Sequence, residues 1–276
     1  MARVKKTSAE INAAEYERVF HKPKTLDILD TTRINIKCKN ENQKLLLNSI
    51  KNNDITICTG PPGSGKTFMS CYQSILELKS ESQINKIVIV KSVTTLKSEE
   101  LGYLKGDLHE KMEPFIYSFI KNFEKVIGPS LTDKLQNENL IETLPIAYMR
   151  GINIDNAIVI IDEVQNITIE NIRTILTRLG ENSKMILLGD INQIDIKNKK
   201  DSSLSFLVDK FKNIDKIGII EFNSNDIIRH PIIIKIEEVF NKESELNKSI
   251  ETIRVKQNKE KQPVKKENWF TKLLSK

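Results

Sequence analysis

The run Gly60-Pro61-Pro62-Gly63-Ser64-Gly65-Lys66-Thr67 places three of the chain's ten glycines in the spacing G-x-x-x-x-G-K-[ST]. Glycines let a turn curl tightly enough to aim successive backbone N–H groups at an anion, and a helix starting there adds its positive end. Lys66 then reaches the β- and γ-phosphates of a nucleoside triphosphate, and the Thr67 hydroxyl ligates Mg²⁺. Further along, Asp162 and Glu163 follow the apolar run Ala157-Ile158-Val159-Ile160-Ile161. A carboxylate at the end of a buried strand holds Mg²⁺ through its water shell. A second one beside it polarises a water for in-line attack on the γ-phosphorus. A kinase, whose acceptor is a substrate hydroxyl, has less need of that second group, so the pair points to hydrolysis. A third cluster, Gly189-Asp190-x-x-Gln193 after Met185-Ile186-Leu187-Leu188, supplies an amide suited to sensing the γ-phosphate or orienting the water.

Arg150, Arg178 and Arg229 offer guanidinium groups to the charge that builds up in phosphoryl transfer, or else make structural ion pairs. Gln43, in Asn40-x-x-Gln43, stands seventeen residues ahead of Gly60. Its amide could read the edge of adenine, although a glutamine on an exposed helix face is equally ordinary. The cysteines Cys38, Cys58 and Cys71 lack metal-ligand spacing and read as reduced packing thiols of a cytoplasmic protein.

The elements that must position these groups are legible as alternating patterns. Ile55–Cys58, Ile87–Val90, Ala157–Ile161 and Met185–Leu188 read as buried strands, with Ile217–Phe222 a fifth. Helical patterns cover 39–53, Thr67–Leu78, Thr168–Leu179 and Ser203–Phe211. The alternation predicts an α/β fold, a mainly parallel sheet with helices on both faces. Thr94–Tyr148 reads as a long, mostly helical insertion that makes a surface for substrate or subunits.

Residues 1–38 read as an extension packing on the core or on a neighbour, and 243–276 as a flexible tail. From Arg254 to Lys276 the tail has eight basic and two acidic side chains, so it carries the chain's whole net charge of +6. It suits contact with a polyanion, a membrane or a protein partner, or is a solubilising end. Trp269, Phe270, Leu273 and Leu274 could form one short amphipathic piece within it. No apolar run approaches the ~20 residues that span a bilayer. The first residues lack the apolar core of a secretory signal, which also points to the cytoplasm.

Several motifs together resemble the PhoH-like proteins: the glycine-rich loop, Asp162-Glu163-Val164-Gln165-Asn166, Leu176-Thr-Arg-Leu-Gly180 and Gly189-Asp-Ile-Asn-Gln-Ile-Asp195. Leu101-Gly-Tyr-Leu-Lys-Gly-Asp-Leu108, Tyr148-Met-Arg-Gly151 and Asp226-Ile-Ile-Arg-His230 belong to the same set, over about residues 40–242. The family is similar to the first motor domain of superfamily 1 helicases. The resemblance implies a RecA-like P-loop NTPase domain over 39–242 with a helical insertion at about 94–148. It implies ATP and Mg²⁺ as cofactors, single-stranded RNA or DNA as partner, and a homo-oligomer, a hexameric ring being the expected form.

Carried over by position, the resemblance puts Gly60, Pro61, Pro62, Gly63, Ser64, Gly65, Lys66 and Thr67 on the triphosphate, with Thr67 and Asp162 on Mg²⁺. Glu163 becomes the hydrolytic carboxylate, Gln193 the γ-phosphate sensor, Gln43 the adenine reader and Arg229 an arginine meeting the γ-phosphate. Arg178 and Arg150 become candidates to reach a neighbouring subunit's site. Lys91-Ser92 stands where many members have Arg-Pro, so any nucleic-acid contact there is altered. There is no room for the nuclease domain that some relatives carry, so RNA cleavage by this chain is not expected. The leading expectation is an ATPase acting on single-stranded nucleic acid. The alternatives are an ATP-gated switch that recruits a protein partner, and a small-molecule kinase, which the Asp162-Glu163 pair and Gln193 disfavour.

Overall fold

Short runs of β-branched and aliphatic residues form the strands, and the polar or glycine residues that close them turn the chain into helices. The computed structural model describes residues 24–80, 83–91 and 108–228, with Ile232, Lys235, Ile236 and Val239 beyond them. The chain divides into two units, 1–228 and 229–276. In the second, the four described positions are helical and exposed.

The first unit holds one sheet built from β1 (Ile55–Thr59), β2 (Lys86–Lys91), β3 (Ile141–Pro145), β4 (Ala157–Asp162), β5 (Lys184–Gly189) and β6 (Ile217–Glu221). The strands lie in the order β3-β2-β4-β5-β1-β6, and every neighbouring pair is parallel. Cys58, Ile87, Ile89, Ile158, Ile160, Ile186 and Leu188 project into one core, and Ile57, Val88, Val90, Val159, Ile161, Met185 and Leu187 into the other. Burial on both faces is why these strands read as continuous apolar runs and not as alternations.

The first core is roofed by α1 (Lys24–Thr31), α2 (Glu41–Asn52), α3 (Lys66–Lys79), α4 (Leu108–Ile127) and α5 (Pro129–Asn137). The second is covered by α6 (Ile169–Leu176) and α7 (Ser203–Lys210). This is the α/β fold expected from the sequence, a parallel sheet with helices on both faces and the loops from its strands gathered at one sheet edge.

The 94–148 stretch, read as mostly helical, holds α4 and α5 among its described residues and also carries β3, which pairs in register with β2 and extends the sheet. The run Ile-Glu-Thr-Leu-Pro is half-buried at an edge, so its apolar signal is diluted by polar side chains. The described part of the N-terminal extension packs on the core. Leu29 of α1 is fully buried, and Lys79 Nζ at the end of α3 donates to the Thr32 carbonyl at 2.6 Å. No helix among the described residues is long and apolar enough to cross a membrane.

Candidate nucleotide-hydrolysis site

The loop leaving β1 is shaped by its glycines and locked from below. Gly63 and Gly65 have φ of 83° and 90°, the left-handed region that glycine alone enters without strain. Gly65 is also the residue from which α3 starts, and that helix has no side-chain cap, whereas Asn40 caps α2 and Thr168 caps α6. The first-turn N–H groups of α3 are therefore left to an anion, which the helix end favours. A Cβ on Gly65 would stand 2.7 Å from Gln43 Nε2, so the loop floor rests on that amide.

Gln43 is 3% exposed. Its Nε2 donates to the Ser64 carbonyl at 3.0 Å, and its Oε1 accepts from the Lys39 N–H at 2.8 Å. The structure gives it the part of a brace under the phosphate loop. A second brace comes from the segment after β6, where the Ile228 N–H donates to the Gly63 carbonyl at 2.9 Å. Asp226 anchors that segment, accepting from the Asn223 N–H at 2.8 Å and from Asn42 Nδ2 at 2.7 Å.

A single recess of about 310 Å³ collects the groups singled out in the sequence. Pro62, Gly63, Gly65, Lys66 and Thr67 line it from the loop, Asp162 and Glu163 from β4, and Asp190 and Gln193 from the turn after β5. Lys66 Nζ donates to the carbonyls of Gly60 and Pro61 at 2.6 and 2.8 Å. An ammonium has three donors, so one remains for a phosphate. Burial pulls the Lys66 pKa below its ordinary 10.5, while Asp190, Asp162 and Glu163 push the other way. Cys58 beneath it is a packing thiol, pushed up to about 12 by burial.

The donor set fits Mg²⁺. Mg²⁺ takes one or two protein oxygens and completes its octahedron with water and substrate phosphates, and Thr67 with Asp162 offers one hydroxyl and one carboxylate in the recess. Among the described residues no cluster of three or more acidic, His or Cys side chains forms a self-sufficient metal cage.

Glu163 is held in an unusual way. It is a non-glycine residue with φ 57°, at the start of the short 3-10 helix Val164–Asn166. Its Oε2 accepts from Gln165 Nε2 at 2.6 Å, and Gln165 Oε1 in turn accepts from the Asp190 N–H at 3.1 Å. A Cβ on Gly189 would stand 2.5 Å from Gln165 Oε1, so this crosslink requires glycine there. Asn166 adds a parallel tie, its Oδ1 accepting from the Asp195 N–H at 2.8 Å. Gln165 and Asn166 were visible in the sequence only as part of a motif string, and their bridging role needed the fold.

The structure also adds Asn122, from α4, to the recess lining. A polar residue in a helix otherwise marked by Phe119 and Phe123 carries no sequence signal of its own. Arg150 and Arg178 do not line the recess. Arg150 sits after the 3-10 helix Ile146–Met149 and donates to Asn171 Oδ1 at 3.1 Å. Arg178 lies just past α6, near the start of β4, where its carbonyl accepts from the Ile154 N–H. Its Nε is shielded from solvent and has no hydrogen-bond partner among the described residues. Arg229, the Leu101–Leu108 motif side chains, Ser92 and the basic tail lie outside the described residues or side chains.

Residues 35–241 match the family model of the PhoH-like protein. The chain is 37% identical over 209 residues to a PhoH-like protein of Bacillus subtilis (strain 168), covering 76% of this chain and 65% of that protein. It is 33% identical over 196 residues to Protein PhoH of Escherichia coli (strain K12), covering 70% of this chain and 55% of that protein. It thus spans less than two thirds of these relatives' length. Among solved structures it is similar to the large terminase of a thermophilic bacteriophage. There the TM-score is 0.46 and the identity 11%, over 73% of this chain and 50% of that one, a likeness too distant to carry any argument. With the family match covering the loop, the carboxylate pair and the bridging glutamine alike, the chain belongs to the PhoH-like protein family.

Proposed function

We propose that this chain is a Mg²⁺-dependent ATPase whose turnover is coupled to binding or remodelling single-stranded nucleic acid, RNA foremost. The observation that carries the hydrolytic half is the single recess shared by Lys66, Thr67, Asp162, Glu163 and Gln193. Backbone N–H groups of the loop and of the uncapped α3 terminus hold the phosphates, and Lys66 adds a point charge. Thr67 and Asp162 would hold Mg²⁺, which would supply positive charge against the triphosphate. Glu163 takes a proton from the attacking water, and Gln193 orients that water by its amide. Arg229 is proposed to meet the γ-phosphate, and the capacity left on the Gln43 amide beyond its two bracing bonds is proposed for adenine.

The nucleic-acid half rests on the resemblance of the motif set to the superfamily 1 motor domain. The switch reading has one observation in its favour: Asn122 brings the long insertion into the recess, so nucleotide can be felt there. One experiment separates them. ATP turnover is measured with and without single-stranded RNA, beside Glu163→Gln. We expect stimulation by RNA, and a fall of about 100-fold or more in the variant with nucleotide binding retained. Turnover indifferent to RNA and DNA would remove the coupling, and full turnover by Glu163→Gln would remove the hydrolytic assignment.

A further inference from the structure

A second recess, of about 260 Å³, opens on the α6-covered face beside the carboxyl end of β3. It shares no lining residue with the triphosphate recess. Along the sheet, β3 stands two strands from β4 and four from β1, roughly 10 and 19 Å at ~4.8 Å per strand. It is thus a separate site on the same domain. Its volume is below the ~300–1,000 Å³ of sites that enclose whole small molecules, so it suits one planar group.

The floor is apolar. Ile146, Met149 and Ile175 line it, and the last two are core side chains at 0% and 2% exposure. The rim is polar, from Arg150, Asn171 and Thr174. Arg150 uses one guanidinium donor on the neutral Asn171 Oδ1, and no carboxylate among the described residues pairs with it. Four of its five donors thus remain, in the fork that fits a phosphodiester. The Asn171 amide keeps both N–H donors, which have no partner among the described residues, while Thr174 already donates to the Glu170 carbonyl and keeps its acceptor lone pairs. Tyr148, next in the chain to the lining residue Met149 but not itself part of the lining, has its ring 57% exposed. A tyrosine ring presented to solvent near a basic residue in the chain is the kind of stacking platform that single-strand binders use.

We infer that this recess holds one nucleotide of a single-stranded nucleic acid, its base on the apolar floor against Tyr148 and its phosphate on Arg150. The inference rests on the nucleic-acid reading above and gives it a location. It also gives Arg150 a task on its own chain in place of the trans role.

The test is fluorescence anisotropy of a fluorescein-labelled oligouridylate titrated with the full-length protein across a salt series. Tyr148→Ala and Arg150→Gln are compared with the parent, and thermal unfolding midpoints serve as the folding control. Both side chains are at the surface, so the midpoints should hold. Tyr148→Ala should weaken binding by about 10-fold. Arg150→Gln should flatten the slope of log affinity against log salt by about 0.7, one phosphate contact on a single strand. If the parent binds and is stimulated while both variants bind as tightly with the same slope, this inference alone fails. If the parent itself does not bind, the nucleic-acid reading fails with it. If Arg150→Gln binds normally but loses turnover that depends on protein concentration, Arg150 belongs to a neighbour's site and the inference is overturned.

Discussion

Glu163 has a backbone that L-residues rarely adopt, and such a conformation costs about 1–2 kcal/mol unless its surroundings fix it. Here Gln165 fixes it. The glutamine is 1% exposed and connects the Glu163 carboxylate to the backbone of Asp190, so the turn after β5 and the end of β4 move as one. It touches neither phosphate nor attacking water in the proposed mechanism, and is a positioning residue. Replacing it by alanine frees the carboxylate to leave the line of attack, and leaves the buried Asp190 N–H unpaired at about 1–3 kcal/mol. Gln165→Ala is therefore expected to lower kcat by about 10- to 100-fold while KM and nucleotide affinity stay within about twofold. Steady-state turnover with fluorescent-nucleotide binding checks this. A loss purely structural in origin would instead raise the nucleotide dissociation constant in step with the fall in kcat.

At the scale of elements, α2 must be held at both ends, because its N-terminal end carries the Gln43 brace. Asn40 caps the start, accepting from the Gln43 N–H at 2.8 Å. At the other end Lys184, from the start of β5, donates through Nζ to the carbonyls of Ile50, Lys51 and Asn53 at 2.9, 2.8 and 3.1 Å. A cation on a helix carboxyl terminus is favoured by the dipole as well as by the hydrogen bonds. Lys184→Met keeps the aliphatic stem and deletes the cap. It should cost about 2 kcal/mol, or a melting-midpoint fall of about 4–8 °C for a domain of this size, read by calorimetry.

That contact also shows what sequence could reveal. The five strands with apolar runs, the helix ahead of them, the three helices between them and the loop residues were legible because local pattern and fold agree at those positions. β3 was not, since Ile141 and Leu144 alternate weakly with polar side chains at an edge. Nor was the Lys184 cap, whose acceptors lie more than 130 positions away. Of the site, Lys66, Thr67, Asp162, Glu163 and Gln193 were legible from spacing, and the fold brings them to one recess. Asn122 was not, because only the packing of Phe119 and Phe123 against the core aims that face of α4 at the phosphate loop.

At the scale of the molecule, the sheet order decides what one chain can finish alone. β1 and β4 flank β5, so the loop, the carboxylates and Gln193 converge from adjacent strands. Arg178 is carried to the far end of α6, beside the start of β4, and so cannot join its own triphosphate recess. Its Nε is shielded without a partner among the described residues, a state that costs free energy unless another molecule completes it. A head-to-tail ring, whose contacts join two different faces, is an arrangement in which Arg178 would complete the neighbouring subunit's phosphate edge. The prediction is complementation. Lys66→Ala subunits keep Arg178 but lack a working loop, and Arg178→Ala subunits keep the loop but lack the donor. Each alone should be nearly inactive. Mixed in equal amounts and allowed to exchange, a site works only where an Arg178→Ala loop faces a Lys66→Ala neighbour, about one quarter of the positions. Turnover of the mixture should therefore rise to about one quarter of the parent's. A mixture no more active than its parts, or an Arg178→Ala protein with full turnover at every concentration, would remove the trans role of Arg178 and leave Arg229 as the arginine proposed at the γ-phosphate.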